Sequence, residues 1–271
     1  MGGAAQRLAP LYRCVNRPVD FQFADWLMLF SLTLQYRPEL IVEVGRGCGN
    51  STCVFLEAAS ELSCPVVSVD RRSWRWRRTA KKVLSLRGRD WLCRGTIVSK
   101  NFLATDPQAL IPEGTGRTLF FWDAHGRDLA TFIIRRIFPR LRVRSHLIIV
   151  HDITDLLLGL NPRHFQQGPF NSGFDELFPL YELWQAENTA VRSPARDIAG
   201  VEKEDPNRVD RLAGSLPVFC RPLLGPTGHW VYFQLSPSLT MGPDTDAPVQ
   251  NHSGTFGLAI KRFLKRFQVR R

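Results

Sequence analysis

Ile41-Val42-Glu43-Val44-Gly45-Arg46-Gly47-Cys48-Gly49-Asn50-Ser51 is the stretch whose reading decides the fold. It opens as a β-branched apolar run, the pattern of a strand buried on both faces of a parallel sheet. It breaks into alternating glycines and runs on through Thr52 to Ala59, where a helix is expected to start. Strand, glycine turn and helix together build the crevice in which open α/β sheets hold ligands, beyond the carboxyl ends of their strands. Gly45, Gly47 and Gly49 allow a sharp turn and let a ligand lie on bare main chain. The dinucleotide fingerprint G-x-G-x-x-G requires its third glycine where this chain has Asn50. That ligand class is therefore disfavoured.

The pattern present is E-x-G-x-G-x-G, with Glu43 two residues before the first glycine. A second acid, Asp70, ends the next apolar run, Pro65 to Val69, and lies 25 residues after Gly45. The pair resembles motif I, and the acid that follows it, of the class I S-adenosylmethionine-dependent methyltransferases. That resemblance implies a cofactor lying with its methionine part over Gly45, Gly47 and Gly49. Glu43 would hold its charged amino group, and Asp70 would accept both ribose hydroxyls. Ser51, Arg71, Asn101 and Asp123 complete the candidate cofactor set, Asn101 as an adenine contact. Trp74 or Trp76 would stack on the adenine or, equally, pack on the sheet.

Outward from this centre, strands alternate with helical stretches, the sign of a doubly wound parallel sheet. Phe21 to Gln35 is apolar nearly all round and predicts a buried helix that Pro38 separates from the first strand. A basic segment after Asp70 predicts the second crossover helix, through Thr79 to Leu86, and Gly95 to Ser99 a third strand. Thr118 to Trp122 predicts strand four, and Leu147 to Val150 strand five. Between them Leu129 to Val143 has helical periodicity, which Pro139 is expected to kink or cut short. Leu216 to Cys220 and His229 to Leu235 predict a terminal antiparallel hairpin. The expected fold is α/β: a doubly wound, mostly parallel seven-stranded sheet of the Rossmann-like methyltransferase kind.

Strand four runs into Asp123-Ala124-His125-Gly126, and strand five into His151-Asp152. Two carboxylates and two imidazoles delivered to neighbouring strand ends suit a divalent cation, or a general base working near neutral pH. Helix capping by Asp123 and a loop hydrogen bond from His151 are the structural alternative. The D-A-H and V-H-D motifs resemble the family that includes macrocin O-methyltransferase and cephalosporin-hydroxylase-like proteins, over roughly 41–155. The resemblance implies Asp123, His125 and His151 as catalytic candidates. It makes Asp123, His151 and Asp152 candidate ligands for Mg2+ or another divalent cation. Two departures stand out. Strand four ends W-D-A-H where D-G-D-H is usual in that family, so one acid is missing; Arg46 puts a bulky cation in the glycine loop, its side chain expected to point away from the cofactor.

The chain has 271 residues and a formal net charge of +11. The excess is clustered in 71–82 and 261–271. Such runs are either solvated helix faces or docking sites for RNA, an acidic lipid surface or a phosphorylated substrate. Cys14, Cys48, Cys53, Cys64, Cys93 and Cys220 form no C-x-x-C pair, which argues against a zinc site or disulfide framework and suits a cytoplasmic protein. No signal peptide is expected. The organisation read from the sequence is a helical extension (1–40), a catalytic domain (41–236) with a lid-like insertion (156–215), a linker (237–254) and a basic amphipathic tail (255–271). That tail suits packing on the domain or on a second copy in a homo-oligomer, or adsorption to an anionic inner membrane face. Phe165, Phe170, Phe174 and Tyr181 are candidate acceptor-pocket aromatics. The leading expectation is methyl transfer from S-adenosyl-L-methionine to a hydroxyl of a small molecule, sugar or lipid-linked glycan. The alternatives are an RNA methyltransferase and a methyltransferase-like binding protein that has lost catalysis.

Overall fold

The computed structural model describes residues 2–15, 21–151, 180, 183–184, 186–187, 189–192 and 230–237. The chain divides into two units, Met1–Leu239 and Thr240–Arg271, and the second lies outside the described residues. So do the expected linker from 238 onward, the basic tail, the first limb of the hairpin (216–220), Asp152 and the candidate pocket aromatics.

Two helices, α1 (Gly2–Cys14) and α2 (Phe23–Tyr36), precede the first strand. The elements that follow are β1 (Leu40–Val44), α3 (Asn50–Leu62), β2 (Val66–Val69), α4 (Ser73–Arg87), α5 (Arg89–Leu92) and β3 (Gly95–Val98). After a 3-10 turn at Phe102–Ala104 come α6 (Pro107–Leu110), β4 (Thr118–Trp122), α7 (Arg127–Phe132), a π-helical turn (Ile133–Ile137), α8 (Phe138–Arg142), β5 (His146–His151) and β6 (Trp230–Phe233). Strand order is β3-β2-β1-β4-β5-β6, with β6 antiparallel to β5 and the other neighbours parallel. The described residues thus form six strands where seven are expected. The chain winds outward from β1 through β3 and returns to place β4 beside β1. The switch point of the sheet therefore lies between Gly45 and Asp123, the position at which doubly wound sheets bind ligands.

Apolar residues clothe both faces of the sheet. On one face Leu8, Leu11, Trp26, Leu29, Val54, Phe55, Ala58, Val83 and Trp91 pack against Ile41, Leu119, Phe121 and Ile149. On the other, Phe120 and Phe233 each meet Phe138 edge-on, at 6.4 and 6.3 Å between ring centroids. The buried helix expected at 21–35 is α2, closed by Arg37 in the left-handed conformation. Pro139 does not end the helical run, which continues to Arg142; it has no N–H to give to the carbonyl four residues back, and the turn just before it widens to a π-helix.

Helices α1, α3, α4 and α5 are tied together through one buried acid. Glu57, 3 % exposed, accepts from Arg7 Nε (2.8 Å), Arg87 Nη2 (3.3 Å) and Trp91 Nε1 (2.7 Å). At the far side of the sheet, Arg142 pairs with Glu187 and donates to the Ser236 carbonyl (2.8 Å), which anchors the chain beyond β6. Arg192 exchanges two backbone hydrogen bonds with Tyr232, so this part of the expected lid runs along the sheet edge as an extension of the ladder. Among the described residues no helix is long and apolar enough to cross a membrane.

Candidate active site

The glycine turn has the backbone the sequence demands, for reasons that differ from one glycine to the next. Gly45 (φ +91°) sits where β1 and β4 converge; a Cβ there would lie 1.8 Å from the Asp123 carbonyl oxygen. Gly49 (φ +95°) lies under the Trp76 ring, 2.4 Å from where its Cβ would be. Both are therefore fixed by the packing of the protein on itself. Gly47 (φ +53°) has open space over it. Of the three glycines it is the one with no neighbour where a side chain would stand, so a ligand can approach bare main chain there.

Asp70 is brought to that place. Its backbone N–H bonds the Val98 carbonyl (3.1 Å), which continues the β2–β3 ladder and fixes the residue at the carboxyl end of β2. Its Oδ2 accepts from the Gly47 N–H at 2.7 Å, and its Oδ1 accepts from the Arg72 N–H. A carboxylate has about four lone-pair directions, so acceptor capacity remains for hydroxyls arriving from solvent. The half-buried position of Asp70 leaves it reachable. Glycine turn and second acid, 23 residues apart in sequence, are thus in direct contact.

Glu43 is placed differently from expectation. It is fully enclosed, and its carboxylate accepts from Ser51 Oγ (2.5 Å), Thr52 Oγ1 (2.7 Å) and Ser68 Oγ. Parity explains this. Glu43 pairs with Ser68 and Phe121 in the ladder and faces α3 with them, away from the strand ends. Burial pushes its carboxyl above the ordinary carboxylate range, opposed by the three hydroxyls and by Arg46. Glu43 and Ser51 therefore join β1, β2 and the start of α3, and both are buried. Arg46 does turn inward, as its place in the loop requires. Its guanidinium donates to the Ser68 carbonyl (2.8 Å), Ser68 Oγ (3.0 Å) and the Val98 carbonyl (3.4 Å), bracing the ends of β2 and β3. Burial lowers its pKa, and Glu43 and Asp70 pull it back up.

Across the switch point, the Asp123 N–H bonds the Val44 carbonyl (2.8 Å), and Asp123 Oδ1 meets His151 Nδ1 at 3.2 Å. The His151 side chain is 1 % exposed and stacks on Phe21 at 4.2 Å, whereas Asp123 keeps 21 % of its side chain in solvent. His151 thus steers Asp123 and does not itself reach the surface. His125, two residues further on, is exposed. Among the described residues no three His, Cys, Asp or Glu side chains gather as metal ligands.

The remaining candidates lie off this centre. Arg71 is exposed, and Asn101 is exposed with its Oδ1 accepting from the Leu103 N–H (3.3 Å) as the cap of the 3-10 turn. Trp76 is buried over Gly49, and Trp74 points outward with 56 % exposure, so the packing alternative holds for Trp76. Sequence reasoning missed the Asn50 contribution: its Oδ1 accepts from Trp26 Nε1 (3.3 Å) and pins α2 to the start of α3.

No family model matches the chain, and no curated protein does. Among solved structures, the chain is similar to the O-methyltransferase TomG from Streptomyces achromogenes in complex with S-adenosylmethionine. The TM-score is 0.54 at 14 % identity, over 86 % of this chain and 89 % of that one. It is similar also to the methyltransferase PaMTH1 from Podospora anserina, bound to S-adenosylhomocysteine. There the TM-score is 0.54 at 12 % identity, over 84 % and 87 % of the two chains. At such identities the likeness is one of fold, and it agrees with the strand order and the glycine turn at the switch point. The chain has the Rossmann-like fold of the class I S-adenosylmethionine-dependent methyltransferases.

Proposed function

We propose that the protein transfers a methyl group from S-adenosylmethionine to a hydroxyl of a small molecule, sugar or lipid-linked glycan. The observation that carries this is the Asp70 carboxylate bonded to the Gly47 N–H beneath open space at the switch point. An acid beside uncovered main chain suits a ligand with vicinal hydroxyls at one end and a compact polar group at the other. TomG, which shares the fold, is an O-methyltransferase solved with S-adenosylmethionine.

When bound, the donor supplies a methyl group on a sulfonium, open to in-line displacement. The chain must hold the ribose, exclude competing water and take a proton from the acceptor hydroxyl. Asp70 holds the ribose. Asp123, partly exposed and bonded to His151, orients the acceptor hydroxyl in this reading, and the exposed His125 receives its proton. Only Asp123 and His151 among the described residues fit the metal expectation, and they are bonded to each other. The third expected ligand, Asp152, lies outside the described residues. The free cysteines Cys14, Cys53, Cys64 and Cys93 suit a cytoplasmic location.

The test is methyl transfer from tritiated S-adenosylmethionine to a panel of phenols, sugars and glycolipids, for wild type, Asp123→Asn and His125→Ala. Transfer that both substitutions lower by at least about 100-fold, within the range of general base catalysis, supports the reading. Cofactor binding without transfer to any acceptor would instead favour a binding protein.

A further inference from the structure

Helix α4 contains six cations, Arg75, Arg77, Arg78, Lys81, Lys82 and Arg87, and no acid. Arg87 is spoken for, since it turns inward to Glu57. Arg77, Arg78 and Lys81 are exposed and make no ion pair among the described residues. Their arrangement works against the helix. Arg77 and Lys81 stand at i and i+4, where like charges repel. Cations in the first turns also oppose the positive end of the helix dipole. A surface held in that state gains stability from a polyanion laid over it.

A second observation narrows the partner. Trp74 begins the same face, 56 % exposed, with the Arg75 guanidinium 5.4 Å from its ring centroid. The helix has other apolar residues, but Trp76 and Val83 are turned into the core. The exposed ones, Trp74 and Leu86, are twelve residues apart, roughly 18 Å along the axis. An interfacial membrane helix needs a continuous apolar stripe, and α4 does not present one. A row of cations with a single solvent-facing indole at its end suits a strand that offers phosphates at intervals and a base to stack.

We propose that the exposed face of α4, with Trp74, Arg77, Arg78 and Lys81, docks single-stranded nucleic acid. The surface starts at Trp74, four residues after Asp70, so a docked strand passes the rim of the switch-point crevice. The proposal does not depend on methyl transfer, and its test contains no cofactor.

The experiment is fluorescence anisotropy of a labelled 20-nucleotide oligouridine with the full chain, titrated across salt concentrations. The variants are Trp74→Ala and the triple Arg77→Gln/Arg78→Gln/Lys81→Gln, each checked by thermal melting. Wild type is expected to bind with an affinity that falls steeply with salt. The triple variant loses three phosphate contacts, so the slope of log K against log salt becomes shallower by about 2. Trp74→Ala weakens binding by at least about fivefold and leaves the slope unchanged, as loss of one stacked base does. Three results would overturn the proposal. One is no binding by wild type; another is binding untouched by either substitution. The third is binding only to phosphatidylserine-containing vesicles, assayed in parallel, which would assign the face to a lipid surface.

Discussion

Replacing Glu43 separates the two roles available to it. If Glu43 holds the cofactor amino group, as the motif suggests, the neutral isostere Glu43→Gln weakens binding and leaves the fold alone. The structure leads to the opposite expectation. Three buried hydroxyls end on this carboxylate, and Glu43→Ala takes their acceptor away. At the low end of the cost of stranding a buried donor, about 1 kcal/mol each, the hydroxyls account for about 3 kcal/mol. The lost methylene adds about 1 kcal/mol, for a total near 4 kcal/mol. Glu43→Gln keeps the volume and one acceptor oxygen, and a hydroxyl can reverse to accept from the amide, so about 1 kcal/mol is lost. For a domain of this size these values lower Tm by about 8–16 °C and about 2–4 °C. Urea unfolding followed by circular dichroism measures both changes, and calorimetry with S-adenosylhomocysteine measures affinity on the same samples. Glu43→Gln is expected to bind within about threefold of wild type. A Glu43→Gln protein of unchanged stability that has lost tenfold or more in affinity would refute the enclosed role.

Two further outcomes follow from buried groups elsewhere. Glu57→Ala strands Trp91 Nε1 and two partly exposed arginines, so a loss of about 3 kcal/mol is expected, the low end for a broken buried pair, read as a fall in urea midpoint. His146 donates from Nδ1 to the Arg144 carbonyl and accepts the Leu235 N–H at Nε2 (2.7 Å); burial lowers its pKa against the pull of the Arg144 and Leu141 carbonyls. Because the folded pKa lies below the unfolded one, its contribution is full above about pH 6.5 and is lost as pH falls through the folded value. The urea midpoint of wild type is therefore expected to drop more steeply between pH 7.5 and 5 than that of His146→Asn.

Much of the sheet was legible because its strands are short apolar runs with turn residues between them. The predicted range of β4 is the observed one, and β1, β2, β3 and β5 differ by one or two residues at their ends. The contact between Asp70 and the glycine turn was legible as well, since both sit where consecutive parallel strands must end together. The role of Glu43 was not. Both faces of β1 are buried, so no polar alternation shows which way an odd-numbered residue points. A buried acid was signalled only by its setting in an otherwise apolar run. The Glu57 cluster was hidden for a related reason: its partners come from positions 7, 87 and 91, and nothing local links them. The inward turn of His151 goes with its stacking on Phe21, which sequence reasoning placed in a helix but not beside the carboxyl end of β5.

The most direct measurement is isothermal calorimetry of S-adenosylhomocysteine binding to wild type and Asp70→Ala. The account predicts binding by wild type and a loss of about 100-fold in the variant, from two charge-assisted hydrogen bonds to ribose at about 1.5 kcal/mol each. Equal affinity in the two proteins, or no binding by either, would contradict it.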